Sequence, residues 1–263
     1  MPAIGQLDYL AHVRADSERL TAVLADADPA TRVPSCPDWT VADLLWHLGE
    51  VQAFWATMVA RRLTDPSVAE QDEPERPDGY AAVLAFFREA TARLADALDT
   101  TPDDTAVWTW FRADRTAGFV RRRQAHEAVI HRLDAELATG QVTDIDPALA
   151  TDGVAEVFDW MYSAVPGWAT AGTPGPIGRV RTSDTGTEWL VQVGSWSGTS
   201  PRTGTAYTDE GSLVLVDSGE AAFSVSGTAR DLDAWLWNRP TLGEIALDGD
   251  YERFVGVIRS GVQ

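Results

Sequence analysis

The segment Thr40-Val-Ala-Asp-Leu-Leu-Trp-His-Leu-Gly-Glu-Val-Gln-Ala-Phe-Trp-Ala-Thr-Met-Val-Ala-Arg61 carries the clearest helical pattern in the chain. Thr40 is a good N-cap residue, and Asp43 stands three positions later, where a capping box places its acidic partner. Apolar residues then recur every three or four positions, which is typical of a helix with one buried face: Leu44, Leu48, Val51, Trp55 and Met58. We therefore predict a helix from Thr40 to about Arg61.

Three more helical segments surround this one. The pattern predicts them over about Leu7–Ala25, Tyr80–Leu98 and Ala117–Ala138. Four helices joined by moderate connections indicate an up-down four-helix bundle. A further helix, predicted over about Pro147–Ala164, closes the first domain, which we place at residues 1–164.

The second part of the chain has a different residue pattern, with Gly- and Pro-rich segments and short alternating stretches. Residues 165–178 contain four Gly and three Pro, and we predict that they form a linker. Alternating apolar and polar residues then predict three short strands, at Thr187–Val193, Ser212–Val216 and Ala221–Val225. Two further helices are predicted at Ala229–Trp237 and Asp250–Ile258. The predicted fold class is therefore α+β, with a helical bundle followed by a small α+β domain at residues 179–263.

Charge and composition exclude several functions. The formal net charge of −19 disfavours nucleic acid and anionic membrane surfaces as partners, because both are bound through clustered basic residues. All 21 basic residues are Arg, so chemistry that needs a Schiff-base lysine or a Walker A lysine is excluded. Cys36 is the single cysteine, which excludes an internal disulfide and a cysteine-cage zinc site.

The start of the chain predicts a cytoplasmic location. Residues 1–16 lack a basic region followed by an apolar run, so we expect no signal peptide. No apolar stretch reaches the roughly 18 residues of a membrane span. The sequence is compatible with a monomer or a small homo-oligomer and does not choose between them.

A polar stripe on the fourth helix suggests a metal site. Arg123, Glu127, His131 and Asp134 are spaced by four, four and three positions, which places them on one helix face. Such a stripe forms an exposed row of salt bridges in many helices, and that interpretation suits Arg123 and Asp134. Glu127 and His131 can also bind one metal ion, as ligand pairs on bundle helices do. Spacing alone leaves both interpretations open.

A third ligand is available from the helix at Thr40–Arg61. His47 falls on the apolar stripe of that helix, between Leu44 and Leu48. Together with Glu127 and His131 it gives two imidazoles and one carboxylate, and three protein ligands that leave one position open are typical of catalytic zinc. Nickel, iron or manganese would also accept this donor set. His126 points about a hundred degrees away from Glu127 and is a weaker candidate.

Three segments resemble a known family. The segments Val33-Pro-Ser-Cys-Pro-Asp-Trp-Thr-Val-Ala-Asp-Leu-Leu-Trp-His-Leu-Gly49 and Arg123-Gln-Ala-His-Glu-Ala-Val-Ile-His-Arg-Leu-Asp134 resemble two motifs of the mycothiol-dependent maleylpyruvate isomerase family, whose N-terminal part is a DinB-like four-helix bundle. The weaker third match is Gly227–Arg239, which resembles a helix of the family's C-terminal domain. The matches touch both halves of the chain.

The resemblance implies a function and a cosubstrate. It implies Zn²⁺ bound by His47, Glu127 and His131, with mycothiol, a cysteinyl pseudodisaccharide, as the thiol. A thiolate held at the open position would add to an electrophilic small molecule, in a cis–trans isomerisation or a thiol transfer. It also implies that an arginine of the second domain stabilises the enolate; Arg239 lies nearest the matching motif, and Arg230 and Arg202 compete with it.

Two other functions remain open from the sequence. A thiol-independent metal hydrolase would use the same three ligands to activate water, and a non-catalytic metal or ligand sensor would bind without turnover. Cys36 precedes a helix, but Pro34 and Pro37 favour a structural turn there. Trp108 and Trp110 suit either a pocket wall or the core. The sequence does not identify the substrate.

Overall fold

The computed structural model describes residues 7–261 and divides the chain into two compact units, with the boundary between Thr143 and Asp144. The helix that begins at Pro147 belongs to the second unit, because it packs against the helix Ala229–Leu236. The boundary therefore lies earlier than the predicted one at residue 164. An amphipathic pattern predicts a buried helix face but does not specify which of two cores buries it.

The first unit contains four long helices and a small two-stranded sheet. Its elements are α1 (Tyr9–Leu24), β1 (Arg32–Val33), β2 (Cys36–Thr40), α2 (Val41–Ala60), α3 (Ser67–Glu70), α4 (Tyr80–Thr100) and α5 (Ala117–Thr139). The four predicted helices are thus confirmed to within a few residues. The short helix α3 was not predicted, and it lies in the connection between α2 and α4.

The direction of the helices departs from simple up-down alternation. Gln52 of α2 bonds to Thr91 of α4, and the later Thr57 bonds to the later Arg93, so α2 and α4 run parallel. The pairs Asp16–Arg132 and Arg19–Glu136 show that α1 runs parallel to α5. The pairs Arg14–Asp99 and Leu24–Tyr80 show that α1 runs antiparallel to α4. The connection 61–79 permits this, because it spans about 60 Å when extended and α2 is only about 30 Å long.

Local signals explain where the two site-bearing helices begin and end. Thr40 accepts a hydrogen bond from the backbone N–H of Asp43, and the Asp43 carboxylate accepts one from the backbone N–H of Thr40, which confirms the predicted capping box of α2. The Thr116 hydroxyl caps α5 by accepting a single hydrogen bond from the backbone N–H of Phe119. Gly140 ends α5 with a φ of 69°, a left-handed conformation that glycine adopts without steric cost.

The second unit is a mixed sheet with helices against it. Its elements are α6 (Pro147–Glu156), a π-helical turn (Val157–Met161), β3 (Thr170–Ala171), β4 (Ile177–Thr182), β5 (Glu188–Thr199), β6 (Ala206–Leu215), β7 (Ala221–Gly227), α7 (Ala229–Leu236), β8 (Ala246–Gly249) and α8 (Glu252–Ser260). Strands β3, β5, β4, β7 and β8 neighbour one another in that order, and β6 pairs with β5. Only the β4–β7 pair is parallel. Phe158, Phe223 and Phe254 lie in the core.

The sequence analysis located most of this unit. The three predicted strands lie within or overlap β5, β6 and β7, and the two predicted helices correspond to α7 and α8. The predicted linker 165–178 is the main difference, because it contains β3, which pairs with β5, and the first residues of β4. The α+β class and the order of the two parts are confirmed.

Candidate metal centre

The three predicted metal ligands come together in the first unit. One ligand atom from each of His47, Glu127 and His131 lies within 4.8 Å of the other two. The Nε2 atoms of His47 and His131 lie 3.7 and 3.2 Å from Oε1 of Glu127. Helix α5 places Glu127 and His131 one turn apart, and α2 supplies His47 from the facing helix. The three side chains therefore lie close enough together to bind one metal ion, and their role as its ligands stays a prediction.

Trp39 packs against both imidazoles. The centre of its ring lies 4.7 Å from that of His47 and 6.2 Å from that of His131. The two imidazole rings are 5.2 Å apart and nearly perpendicular, with an interplanar angle of 82°. Trp39 belongs to β2, immediately before the cap of α2, so the small sheet holds an apolar wall on the cluster. The sequence analysis did not predict this wall.

Asp134 holds the second nitrogen of His131. Its Oδ2 lies 2.9 Å from Nδ1 of His131, and its Oδ1 accepts a hydrogen bond from the Ser35 hydroxyl at 2.5 Å. The thiol of Cys36 contacts Oδ2 at 3.9 Å. Asp134 is fully buried. A carboxylate in this place keeps the proton on Nδ1 and leaves Nε2 as the ligand atom, an arrangement that recurs around metal-binding histidines.

Arg123 fixes the other oxygen of Glu127. Its Nη2 donates to Oε2 at 2.6 Å, which leaves Oε1 facing the two imidazoles. Burial raises the pKa of Glu127, but the charge of Arg123 and the hydrogen bonds from His131 and His47 outweigh it and hold that pKa well below its ordinary value. Glu127 is therefore a carboxylate, the form that a metal ion binds.

His131 is also strongly influenced by its neighbours. Burial lowers its pKa, whereas the hydrogen bonds to Asp134 and Glu127 and the charges of both carboxylates raise it, to about 9. A pKa raised in this way favours a second proton on the ring, at Nε2 beside Glu127 Oε1. A metal ion bound at Nε2 takes the place of that proton.

The donor set fits a divalent metal ion. Ligand atoms about 2.0–2.1 Å from one tetrahedral zinc ion are about 3.3 Å apart, and two of the present separations are 3.7 and 3.2 Å. Two imidazoles and one carboxylate leave a further position open. The side chains of His131 and Glu127 are held from behind by Asp134 and Arg123, as ligands of a metal site are.

A groove runs along α2 and α4. Its volume is about 930 Å³, and its lining includes Glu50, Phe54, Thr57, Phe86 and Arg93. Glu50 also lies 3.7 Å from Nδ1 of His47, so it is shared between groove and cluster. A volume of this size is within the range of small-molecule pockets, about 300–1,000 Å³. The sequence analysis missed the groove, which depends on α2 and α4 being parallel neighbours.

The structure places the other candidate residues outside the cluster. Arg239 follows α7 in the second unit, where its Nη1 donates to the backbone oxygen of Trp237 at 2.7 Å. His126 is buried and contacts Tyr9 edge-on. Trp108 stacks on Trp55. The catalytic role of Arg239 stays a prediction.

No helix within residues 7–261 combines the length and the apolar character needed to cross a membrane.

Known proteins resemble both units. The fold matches the crystal structure of a mycothiol-dependent maleylpyruvate isomerase with a TM-score of 0.59, over 92% of this chain and 93% of that one, at 15% identity. A variant of that isomerase with one histidine replaced by alanine matches with a TM-score of 0.60. An uncharacterized protein of Mycobacterium tuberculosis, in strains CDC 1551 and H37Rv, is 30% identical over 153 residues, which cover 56% of this chain and 75% of the relative.

Family models account for most of the sequence. Residues 10–136 match the mycothiol maleylpyruvate isomerase N-terminal domain, and residues 148–255 match the C-terminal domain of the same family. The first match contains the whole His47, Glu127 and His131 cluster, and the second contains Arg239. With both domains matched in their proper order, this chain belongs to the mycothiol-dependent maleylpyruvate isomerase family.

Proposed function

We propose that this protein is a mycothiol-dependent metalloenzyme that isomerises, or transfers the thiol to, an electrophilic small molecule. The observation that carries the proposal is the convergence of His47, Glu127 and His131 on one point, with Asp134 behind His131. Family membership supports mycothiol as the thiol and an isomerisation as the reaction. The metal is zinc in this proposal, which suits two imidazoles and one carboxylate with an open position.

The protein residues have separate tasks in this scheme. His47, Glu127 and His131 hold the metal, which, when bound, supplies the positive charge that keeps the mycothiol sulfur as a thiolate. Asp134 keeps His131 in the tautomer that can bind through Nε2. Arg123 keeps one oxygen of Glu127 turned toward the two imidazoles. Trp39 shields the cluster from water on one side.

The proposed isomerisation proceeds by addition of the thiolate, rotation about a single bond and elimination of the same thiolate. The thiolate sulfur forms a bond to one carbon of an activated cis double bond, and the π electrons move onto the conjugated carbonyl oxygen as an enolate. The former double bond is now single and rotates. Collapse of the enolate then expels the thiolate and leaves the trans double bond. The enolate needs a positive group, and we propose Arg239 for that role.

The groove along α2 and α4 provides room for the rest of the thiol. Mycothiol carries two sugar-like rings with many hydroxyl groups, and such rings bind to aromatic faces and charged side chains. The groove offers Phe54 and Phe86 for packing and Glu50, Thr57 and Arg93 for hydrogen bonds. Glu50 lines the groove and also contacts Nδ1 of His47, which links the groove to one ligand of the cluster.

Metal content and thiol dependence together test the proposal. We expect about one zinc ion per chain in the purified protein by elemental analysis, and none in a His47→Ala/His131→Ala double variant. His12→Ala is the matched control, because His12 lies on α1 outside the cluster, and it should keep the metal. Turnover should require mycothiol.

Two results would redirect the assignment. Turnover of an ester or amide without any thiol would favour the hydrolase interpretation. Metal binding with a ligand-induced shape change and no turnover of any cis-unsaturated acid, with or without mycothiol, would favour the sensor. Absence of metal after incubation with zinc would refute the site itself.

A further inference from the structure

Each of the two histidines of the cluster has a carboxylate three residues later on its own helix. Asp134 follows His131 on α5, and Glu50 follows His47 on α2. In both pairs the carboxylate faces Nδ1: the distance from Nδ1 is 2.9 Å to Oδ2 of Asp134 and 3.7 Å to Oε1 of Glu50. Residues three apart lie on the same side of a helix, so each helix brings its own pair together.

The other nitrogen of each ring faces one shared atom. Nε2 of His47 and Nε2 of His131 lie 3.7 and 3.2 Å from Oε1 of Glu127. Each imidazole therefore lies between two carboxylates, with Nε2 turned toward the cluster and Nδ1 turned away from it. A neutral imidazole has one N–H and one bare nitrogen, so a group that accepts a hydrogen bond from Nδ1–H leaves Nε2 able to bind a metal ion.

Packing against the ring of His47 favours this orientation. The ring of Trp39 lies 4.7 Å from that of His47, at an interplanar angle of 47°. The ring of His131 lies 5.2 Å away and nearly perpendicular. Neighbours on two sides limit the rotation of the His47 imidazole, which keeps Nδ1 on the side of Glu50.

The two carboxylates differ in distance and in exposure. An N–H···O hydrogen bond is about 2.7–3.2 Å long, so Oε1 of Glu50 has to approach Nδ1 by roughly 0.5–1 Å. The Glu50 side chain is 43% exposed, and its terminal torsion is soft, so a small rotation closes this gap. Solvent competes with such an exposed bond, and Glu50 should therefore contribute less than the fully buried Asp134.

We propose that Glu50 is the positioning residue of His47: its carboxylate accepts a hydrogen bond from Nδ1–H and thereby leaves Nε2 as the ligand atom. The proposal rests on the proposed function for the presence of the metal ion, and on the repeated spacing of histidine and carboxylate for the choice of residue. Metal-binding histidines almost always donate their second N–H to a carboxylate, a carbonyl oxygen or water. The second oxygen of Glu50 stays available to the groove that this residue also lines.

Nitrogen-15 NMR of the histidine side chains in the zinc-loaded, full-length protein tests the proposal. The Nδ1–H proton of His47 should exchange with solvent roughly threefold faster or more in Glu50→Leu than in the wild type, because its acceptor is lost. The Nδ1–H proton of His131 is the internal reference, and its exchange rate should not change. Glu50→Gln keeps an oxygen acceptor without the charge, so its exchange rate should fall in between.

Zinc affinity is the second measurement. Glu50→Leu should raise the dissociation constant for zinc roughly three- to tenfold, which is at the low end for residues behind a metal ligand because Glu50 is exposed. Glu50→Gln should lose less affinity than Glu50→Leu. Asp96→Leu is the matched control: Asp96 lines the same groove from α4 and carries the same charge, and its replacement should leave the zinc affinity unchanged.

The outcomes separate this proposal from the proposed function. Wild-type exchange at His47 Nδ1–H or wild-type zinc affinity in Glu50→Leu would overturn the proposal and leave the metal site standing, as would zinc bound through Nδ1 of His47. Equal losses of zinc affinity in Glu50→Gln and Glu50→Leu would assign the effect to charge alone and would overturn it too. Zinc absent from every protein, the wild type included, would overturn the proposed function and this proposal together.

Discussion

Replacing Asp134 with asparagine should weaken metal binding without removing any ligand. The asparagine would keep the size of the side chain but offer an amide where His131 Nδ1 now meets a carboxylate oxygen at 2.9 Å. The charge-assisted bond that fixes the tautomer would then be lost. His131 could bind its proton at Nε2 instead of Nδ1, and the protonated Nε2 is not available as a ligand.

The size of the effect follows from that bond. A hydrogen bond to a charged group contributes about 1.5–3 kcal/mol. Asp134 is fully buried, so solvent does not screen the interaction. If the whole contribution is coupled to metal binding, the dissociation constant rises about 10- to 100-fold, since about 1.4 kcal/mol corresponds to a factor of ten. Losses of this size are typical when a residue behind a metal-binding histidine is removed.

The assay is a competitive zinc titration against a chromophoric chelator, with thermal melting as the check on folding. Ser35→Ala is the matched control, because it removes the 2.5 Å hydrogen bond to Oδ1 and leaves the carboxylate beside His131. We expect its dissociation constant to rise less than that of Asp134→Asn. A folded Asp134→Asn protein with the zinc affinity of the wild type would refute the assignment of Asp134 to this role.

Three further changes test other parts of the molecule. Arg239→Ala should retain zinc and lower turnover roughly 100-fold or more, and unchanged turnover would remove Arg239 from the mechanism. Arg93→Ala should raise KM for mycothiol roughly tenfold but leave kinetics with free cysteine unchanged, since cysteine has no sugar rings to fill the groove. Gly178→Ala should lower the free energy of unfolding in urea by about 1–3 kcal/mol, because its methyl group would overlap the ring of buried Phe223. Gly256→Ala, within α8 and facing open space, is its control and should be neutral or stabilising.

The cluster could be predicted from sequence because its geometry is mostly local. Glu127 and His131 are one helical turn apart, so any helix over that segment brings them together. His47 could be added as a candidate ligand because it is a polar residue within the apolar stripe of a second helix. The sequence analysis named Asp134 but gave it no role at the metal site, because a position three residues after His131 also suits an exposed salt bridge. Its burial and its bond to Ser35 depend on how β1 and the turn after it pack against α5, which spacing does not encode.

Features that depend on long-range packing were missed. The parallel course of α2 and α4 is decided by how the chain between Arg61 and Gly79 returns along the bundle, and no periodic pattern specifies that path. The groove is a consequence of the same pairing. Similarly, β3 has two residues, too few for an alternating pattern, and it is recognisable only through its pairing with β5.

The formal charges around the cluster bear on why a thiolate would be preferred at the open position. Glu127 and Asp134 contribute one negative charge each, and Arg123 contributes one positive charge. With a divalent ion and two neutral imidazoles, this partly buried group would carry a net charge of +1. Glu50 lies close to His47 but is 43% exposed, so solvent screens its contribution. An isolated charge in a buried site is costly, and an anionic sulfur neutralises it whereas a neutral thiol does not.

Replacing Arg123 with methionine tests this charge balance. The same group would then be neutral before any thiol binds, and the thiol pKa in the complex should rise toward its free value of about 8.5. A pH titration of thiolate absorbance near 240 nm in the two zinc-loaded proteins measures this shift. Identical titration curves would mean that the charge of Arg123 does not reach the sulfur.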